Sequence, residues 1–232
     1  MKNNKLNLSI FLGFLFIVFL GIIYGNKISA SYNSLRIWSV ENLLWLLLGI
    51  PFLLLQSYVG IPNLFQRNIS NKKRLLQPIL IGAAFGILDI LVIKIIQHPQ
   101  PYTELPPFLQ PFPYSIFLYF SGALEIEVFY RLIPITLMLL IGKKVSNGYY
   151  FNYFLWFAII TTSLREPIEQ LPSGENWYIA YALLSGFLMN YLQGIYYKNA
   201  GFISSLTLRL GHYLFWHILL GFYVQYFEIL KF

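Results

Sequence analysis

The chain has 232 residues, 57% of them hydrophobic and 11% charged, with a net charge of +7 and no cysteine. Soluble domains carry about 25% charged residues, so this balance excludes an ordinary soluble domain. The missing cysteines exclude disulfides, thiolate metal sites and cysteine nucleophiles. The basic residues are spread along short segments between apolar blocks, which reads as topology-setting charge and not as a nucleic-acid surface.

The apolar residues fall in blocks of about 20, the length that crosses a hydrocarbon core. In chain order the predicted spans are 8–24, 38–58, 77–96, 115–142, 149–165, 178–197 and 201–224. The expected fold is all-α: a polytopic membrane helix bundle of about seven transmembrane helices, forming one domain over 1–232. The first block follows Lys2 and Lys5 and precedes a cleavable-looking Ser29-Ala30-Ser31. Its apolar core is longer than the 7–15 residues of a signal peptide, so it is read as a retained span.

Charge predicts the orientation. With the N-terminus inside, the inner segments hold Lys2, Lys5, Arg67, Lys72, Lys73, Arg74, Lys143, Lys144 and Lys198. The outer segments hold Lys27, Arg36, Arg165 and Lys231. Nine against four predicts a cytoplasmic N-terminus, in the cell (plasma) membrane. Two outer loops stand out. Residues 97–114 contain six prolines, which bias the chain away from helix. Residues 165–177 are polar and turn-rich. Glu41 reads as interfacial, and Lys94 as a side chain that snorkels outward.

The fourth block places Glu125, Glu127 and Arg131 near its centre. A charged group at mid-bilayer costs about 2.5–3.5 kcal/mol on insertion scales, so such groups pair, line a wet cavity or do chemistry. Glu127 and Arg131 are four apart and predict a shared helix face and a pair, or a carboxylate oriented by arginine for general-base or ligand work. Glu125 points nearly the other way. In the last block His212 and His217 lie five apart, about 140° around an α-helix, so they form no i, i+4 chelate. Rise per residue puts Glu127 about 18 Å and His212 about 17 Å into their spans from opposite ends, near one level. Asp89 falls near that level too.

These residues carry a resemblance. Glu127 followed by Arg131 matches the second half of the EExxxR signal of the CPBP family, the CAAX-protease and bacteriocin-processing (Abi) group of intramembrane proteins. Residues 186–221 resemble that family's last two helices with their glycine turn and histidine-bearing helix. The likeness covers about 80–224 as a CPBP-like core. It implies an intramembrane metallopeptidase cleaving a peptide bond of a membrane-associated protein or peptide, with one divalent metal, zinc, activating water. It would make Glu127 and Glu125 base and ligand candidates, with Arg131 orienting the carboxylate and His212, His217 and Glu166 binding the metal. All three family signals differ in part. Ile126 stands where the first glutamate belongs, 161–166 lacks the middle histidine, and in the last signal His212 falls two residues late with Trp216 where the asparagine belongs. These departures keep open a non-catalytic scaffold or immunity protein that has lost the metal site. A transporter lined by Asp89, Glu127, Arg131, Arg209 and His212 is a further alternative. The expected partners are the lipid bilayer and a membrane-associated peptide or protein, with no nucleic acid.

Overall fold

Every apolar block folds as a helix in the computed structural model, which describes residues 2–32 and 35–229. They are α1 (Lys2–Ile28), α2 (Val40–Val59), α3 (Lys72–Gln97), α4 (114–144), α5 (Phe151–Glu169), α6 (Asn176–Ala200) and α7 (202–228). No strand occurs among the described residues. Three stretches are long and apolar enough to cross a membrane: Asn4–Ser31, Val40–Val59 and Lys72–Gln97. Large apolar side chains such as Phe16, Leu80, Ile96 and Leu184 lie on the outside, each at least 60% exposed. An apolar exterior of that extent marks a surface made for lipid or for another protein. Lys231, one of the outer charges counted above, lies outside the described residues.

Local chemistry sets the helix ends. Ser39 and Asn42 form a reciprocal capping box that starts α2. Gly201, at φ +83°, makes the turn from α6 to α7 against the Pro62 carbonyl. Three helices also contain π-turns, at Lys72–Leu76 and Ile90–Gln97 in α3, Val128–Leu132 in α4, and Leu214–Leu219 and Val224–Glu228 in α7. A π-turn closes its bond from i to i+5 and so rotates everything after it.

The apolar core joins α1, α2 and α4–α7 through residues such as Phe11, Leu46, Leu124, Val128, Ile159 and Phe202. α3 and α7 approach most closely, backbone to backbone. An added Cβ at Gly82 would lie 1.9 Å from the Leu208 carbonyl oxygen, and one at Gly211 would lie 2.3 Å from that of Ile79. Gly82 and Gly86 form a GxxxG stripe, the spacing that lets membrane helices touch. This contact brings Asp89 on α3 beside His212 on α7.

Lys94 departs from the sequence expectation. It is buried, not snorkelling, and its ammonium lies 3.0 Å from Glu228. It also donates to the carbonyls of His98 and Gln100, at 3.3 and 2.6 Å. Glu228 accepts the Tyr102 backbone N–H at 2.7 Å. Burial and the nearby Glu228 carboxylate raise the Tyr102 hydroxyl above its ordinary range. The proline-rich loop 98–113 is therefore tied to the end of α7. Lys94→Met is expected to free it: amide hydrogen exchange in 98–113 should rise at least about tenfold, with the cores of α5 and α6 unchanged.

Candidate functional site

Four charged side chains from three helices meet inside the bundle. Glu127 and Arg131 come from α4, Glu166 from α5 and Arg209 from α7; all are buried. Arg209 grips Glu166 with both terminal nitrogens, at 2.8 and 2.5 Å. Its Nε lies 3.5 Å from a Glu127 oxygen. Glu127 accepts from Gln193 Nε2 at 2.9 Å and from the Ser205 hydroxyl. Arg131 donates to the side chains of Asn190 and Gln193 on α6, and to the carbonyls of Tyr130, Thr162 and Asn190. Asn190 and Gln193 also accept from Arg209, at 3.1 and 2.9 Å. Two carboxylates and two guanidiniums sum to zero charge, and the amides of α6 link the two guanidiniums. A buried charge is tolerated when it is paired and hydrogen-bonded in this way.

The i, i+4 pair expected between Glu127 and Arg131 does not form. Glu127 ends the first α-helical segment of α4, and the π-turn Val128–Leu132 follows at once. The extra residue in that turn moves Arg131 out of register with Glu127, so it bonds to α6 while Glu127 faces α7. The second pair at this spacing, Arg165 with Glu169, lies on a regular helix and is made at 2.8 Å.

Beside this buried quartet lies a cavity of about 460 Å³. It is walled by α3–α7 with Arg36, Trp38 and Phe108 from the connecting loops. Asp89 accepts from the Tyr181 hydroxyl at 2.6 Å and pairs with His212 Nε2 at 2.6 Å. A carboxylate partner places the ring hydrogen on Nε2. The other nitrogen, Nδ1, is buried without a partner. His217 Nδ1 donates to the Phe108 carbonyl at 2.8 Å, and its ring stacks on Tyr119 at 4.2 Å. Glu125 also lines this cavity, on the other face of α4 from Glu127, as the helical spacing predicts. Asp89→Ala would strip the acceptor from His212 and Tyr181, and is expected to lower stability by about 1–3 kcal/mol in a detergent unfolding series.

The six residues singled out from the sequence therefore divide. Glu127 and Arg131 sit in the quartet. Glu125, His212 and His217 line the cavity, and Glu166 touches both. Neither histidine bonds to Glu127, so the expected meeting of α4 carboxylate and α7 imidazole is replaced by Asp89–His212 and Glu127–Arg209. His212 and His217 do reach one cavity, because the π-turn between them brings residues five apart onto one side. Their ring centroids are 6.3 Å apart.

The donor set does not fit zinc as arranged. Zn–N bonds of about 2.0–2.1 Å would hold two imidazole centroids about 5 Å apart in a tetrahedral site. Glu166 gives both oxygens to Arg209. Among the described residues, no three His, Cys, Asp or Glu side chains gather at metal-holding distance. Sequence reasoning passed over Asn190, Gln193 and Ser205, which are polar but common residue types. The glycine stripe Gly82–Gly86 was the one legible signal that α3 docks tightly.

Comparison with protein-family models, curated proteins and solved structures finds no match.

Proposed function

We propose that this chain is a non-catalytic membrane scaffold of CPBP-like architecture. It crosses the bilayer seven times, with its N-terminus in the cytoplasm and the cavity opening outward. The observation that carries this reading is Arg209. Its guanidinium occupies the space between Glu127 and Glu166, where a hydrolytic centre would need a metal ion and its water. Arg209 and Arg131 together balance the two carboxylates, and that balance needs no cofactor. The charged core then works as a clamp: one member each from α5 and α7, two from α4, and the amides of α6 between them.

Metal analysis of purified protein tests this reading. It predicts well under one zinc per chain, and an unfolding midpoint that neither chelator nor added zinc moves. About one zinc per chain, retained through purification and lost in His212→Ala, would refute it.

A second reading, peptide-bond hydrolysis at the membrane, is favoured by one observation. The Asp89–His212 pair and Glu125 line one cavity, and both are groups of the kind that serve as a general base. Cleavage of a membrane-associated peptide, abolished by Asp89→Asn and by His212→Gln, would support it.

A further inference from the structure

The cavity beside the quartet holds charges that the fold itself does not use. The Glu125 carboxylate is half-buried and has no hydrogen bond or ion pair among the described residues. The Arg36 guanidinium is exposed and likewise has neither bond nor ion pair among the described residues. The two line one cavity yet form no ion pair with each other. The Arg36 backbone is fixed beside the cavity: its N–H donates to Gln110 Oε1 at 2.8 Å, and its carbonyl accepts from the Tyr114 hydroxyl at 2.7 Å.

The rest of the wall narrows the visitor's chemistry. His212 Nδ1 is buried and unpartnered. His217 Nδ1 is committed to the Phe108 carbonyl, which leaves Nε2 as an acceptor. With the His212 Nδ1 atom buried out of reach, the cavity wall offers two acceptors, His217 Nε2 and the Glu125 carboxylate. The rings of Trp38, Tyr119 and Tyr213 also line it and add apolar surface. The volume, about 460 Å³, lies within the range of small-molecule sites.

We infer that this cavity binds a small zwitterion of amino-acid size, its ammonium toward Glu125 and His217 and its carboxylate on Arg36. Opposite charges that share a cavity without pairing are complementary to a molecule carrying both signs. A simple cation would leave Arg36 unmatched, and a simple anion would leave Glu125 unmatched. The inference does not depend on whether the core is catalytic.

The full chain in lipid nanodiscs, titrated calorimetrically, provides the test. The probes are L-phenylalanine and L-alanine, with N-acetylphenylalanine, phenylalaninamide and the doubly capped N-acetylphenylalaninamide. At least one free amino acid should bind saturably, and each cap on phenylalanine should weaken binding at least about tenfold. Glu125→Gln should erase the penalty of the N-acetyl group, and Arg36→Gln that of the amide. Gly122→Leu should abolish all binding. Gly122 lines the cavity, and an added Cβ there meets only Tyr213, at 4.0 Å, so the new side chain starts in open space. Three results would overturn the inference: no saturable binding by either amino acid up to about 10 mM, equal affinity for the doubly capped compound, or binding that survives Gly122→Leu. If a charge variant fails to fold, the cap series on the unaltered chain still decides.

Discussion

Arg209→Met is expected to destabilise the protein by about 3–5 kcal/mol, the usual cost of removing one partner from a buried ion pair. Its side chain is fully buried and serves Glu166, Glu127, Asn190 and Gln193 together. Methionine fills much of the volume but leaves two carboxylates facing one guanidinium in a dry space. Adding Glu166→Gln restores neutrality, and the double variant should recover a substantial part of the loss. Arg165→Met provides the contrast. That arginine pairs with Glu169 at a site where both side chains are nearly half exposed, and its loss should cost under about 1 kcal/mol. Unfolding in mixed detergent, followed by circular dichroism, measures all three. If Arg209→Met unfolds no earlier than Arg165→Met, the quartet is not what holds the bundle.

Gly82→Leu should do comparable damage by a different route. Even a methyl group at Gly82 would stand 1.9 Å from the Leu208 carbonyl oxygen and 2.8 Å from the His212 nitrogen. Both are backbone atoms of α7, so no side chain can swing aside, and α3 must move away as a body. Overpacking of this kind costs about 1–3 kcal/mol, and here the separation also pulls Asp89 from His212. Because the chain has no cysteine of its own, a spin-label pair placed on α3 and α7 reports the gap directly. The expected result is a broadened distance with a longer mean. An unchanged distance would mean that the two glycines are not what permits the contact.

The helices were legible because a bilayer-sized apolar run is a long signal. All seven predicted spans overlap observed helices, and only the ends moved, as for 77–96 against Lys72–Gln97. That is a match of helices: three stretches meet the length and hydropathy of a membrane span. The special residues were legible too, since charge inside an apolar block is rare. Their partners were not. A regular helix makes Glu127 and Arg131 neighbours, but one π-turn sends them to different helices. The same irregularity in α7 works in the opposite direction, bringing together two histidines that a regular helix would hold apart. Nothing in the residue types at 128–132 or 214–219 announces these turns. Partner choice for Lys94 failed for a further reason. Glu228 lies 134 positions away, and only the closed bundle sets them 3.0 Å apart.

The quartet's zero sum has an electrical consequence. A lone charge carried through a membrane potential exchanges about 2.3 kcal/mol per 100 mV, which is how voltage sensors draw their power. Glu127, Glu166, Arg131 and Arg209 would move as one cancelled set. If the bundle stands in a bilayer as proposed, depolarisation does no net work on that set, and its helices stay indifferent to voltage.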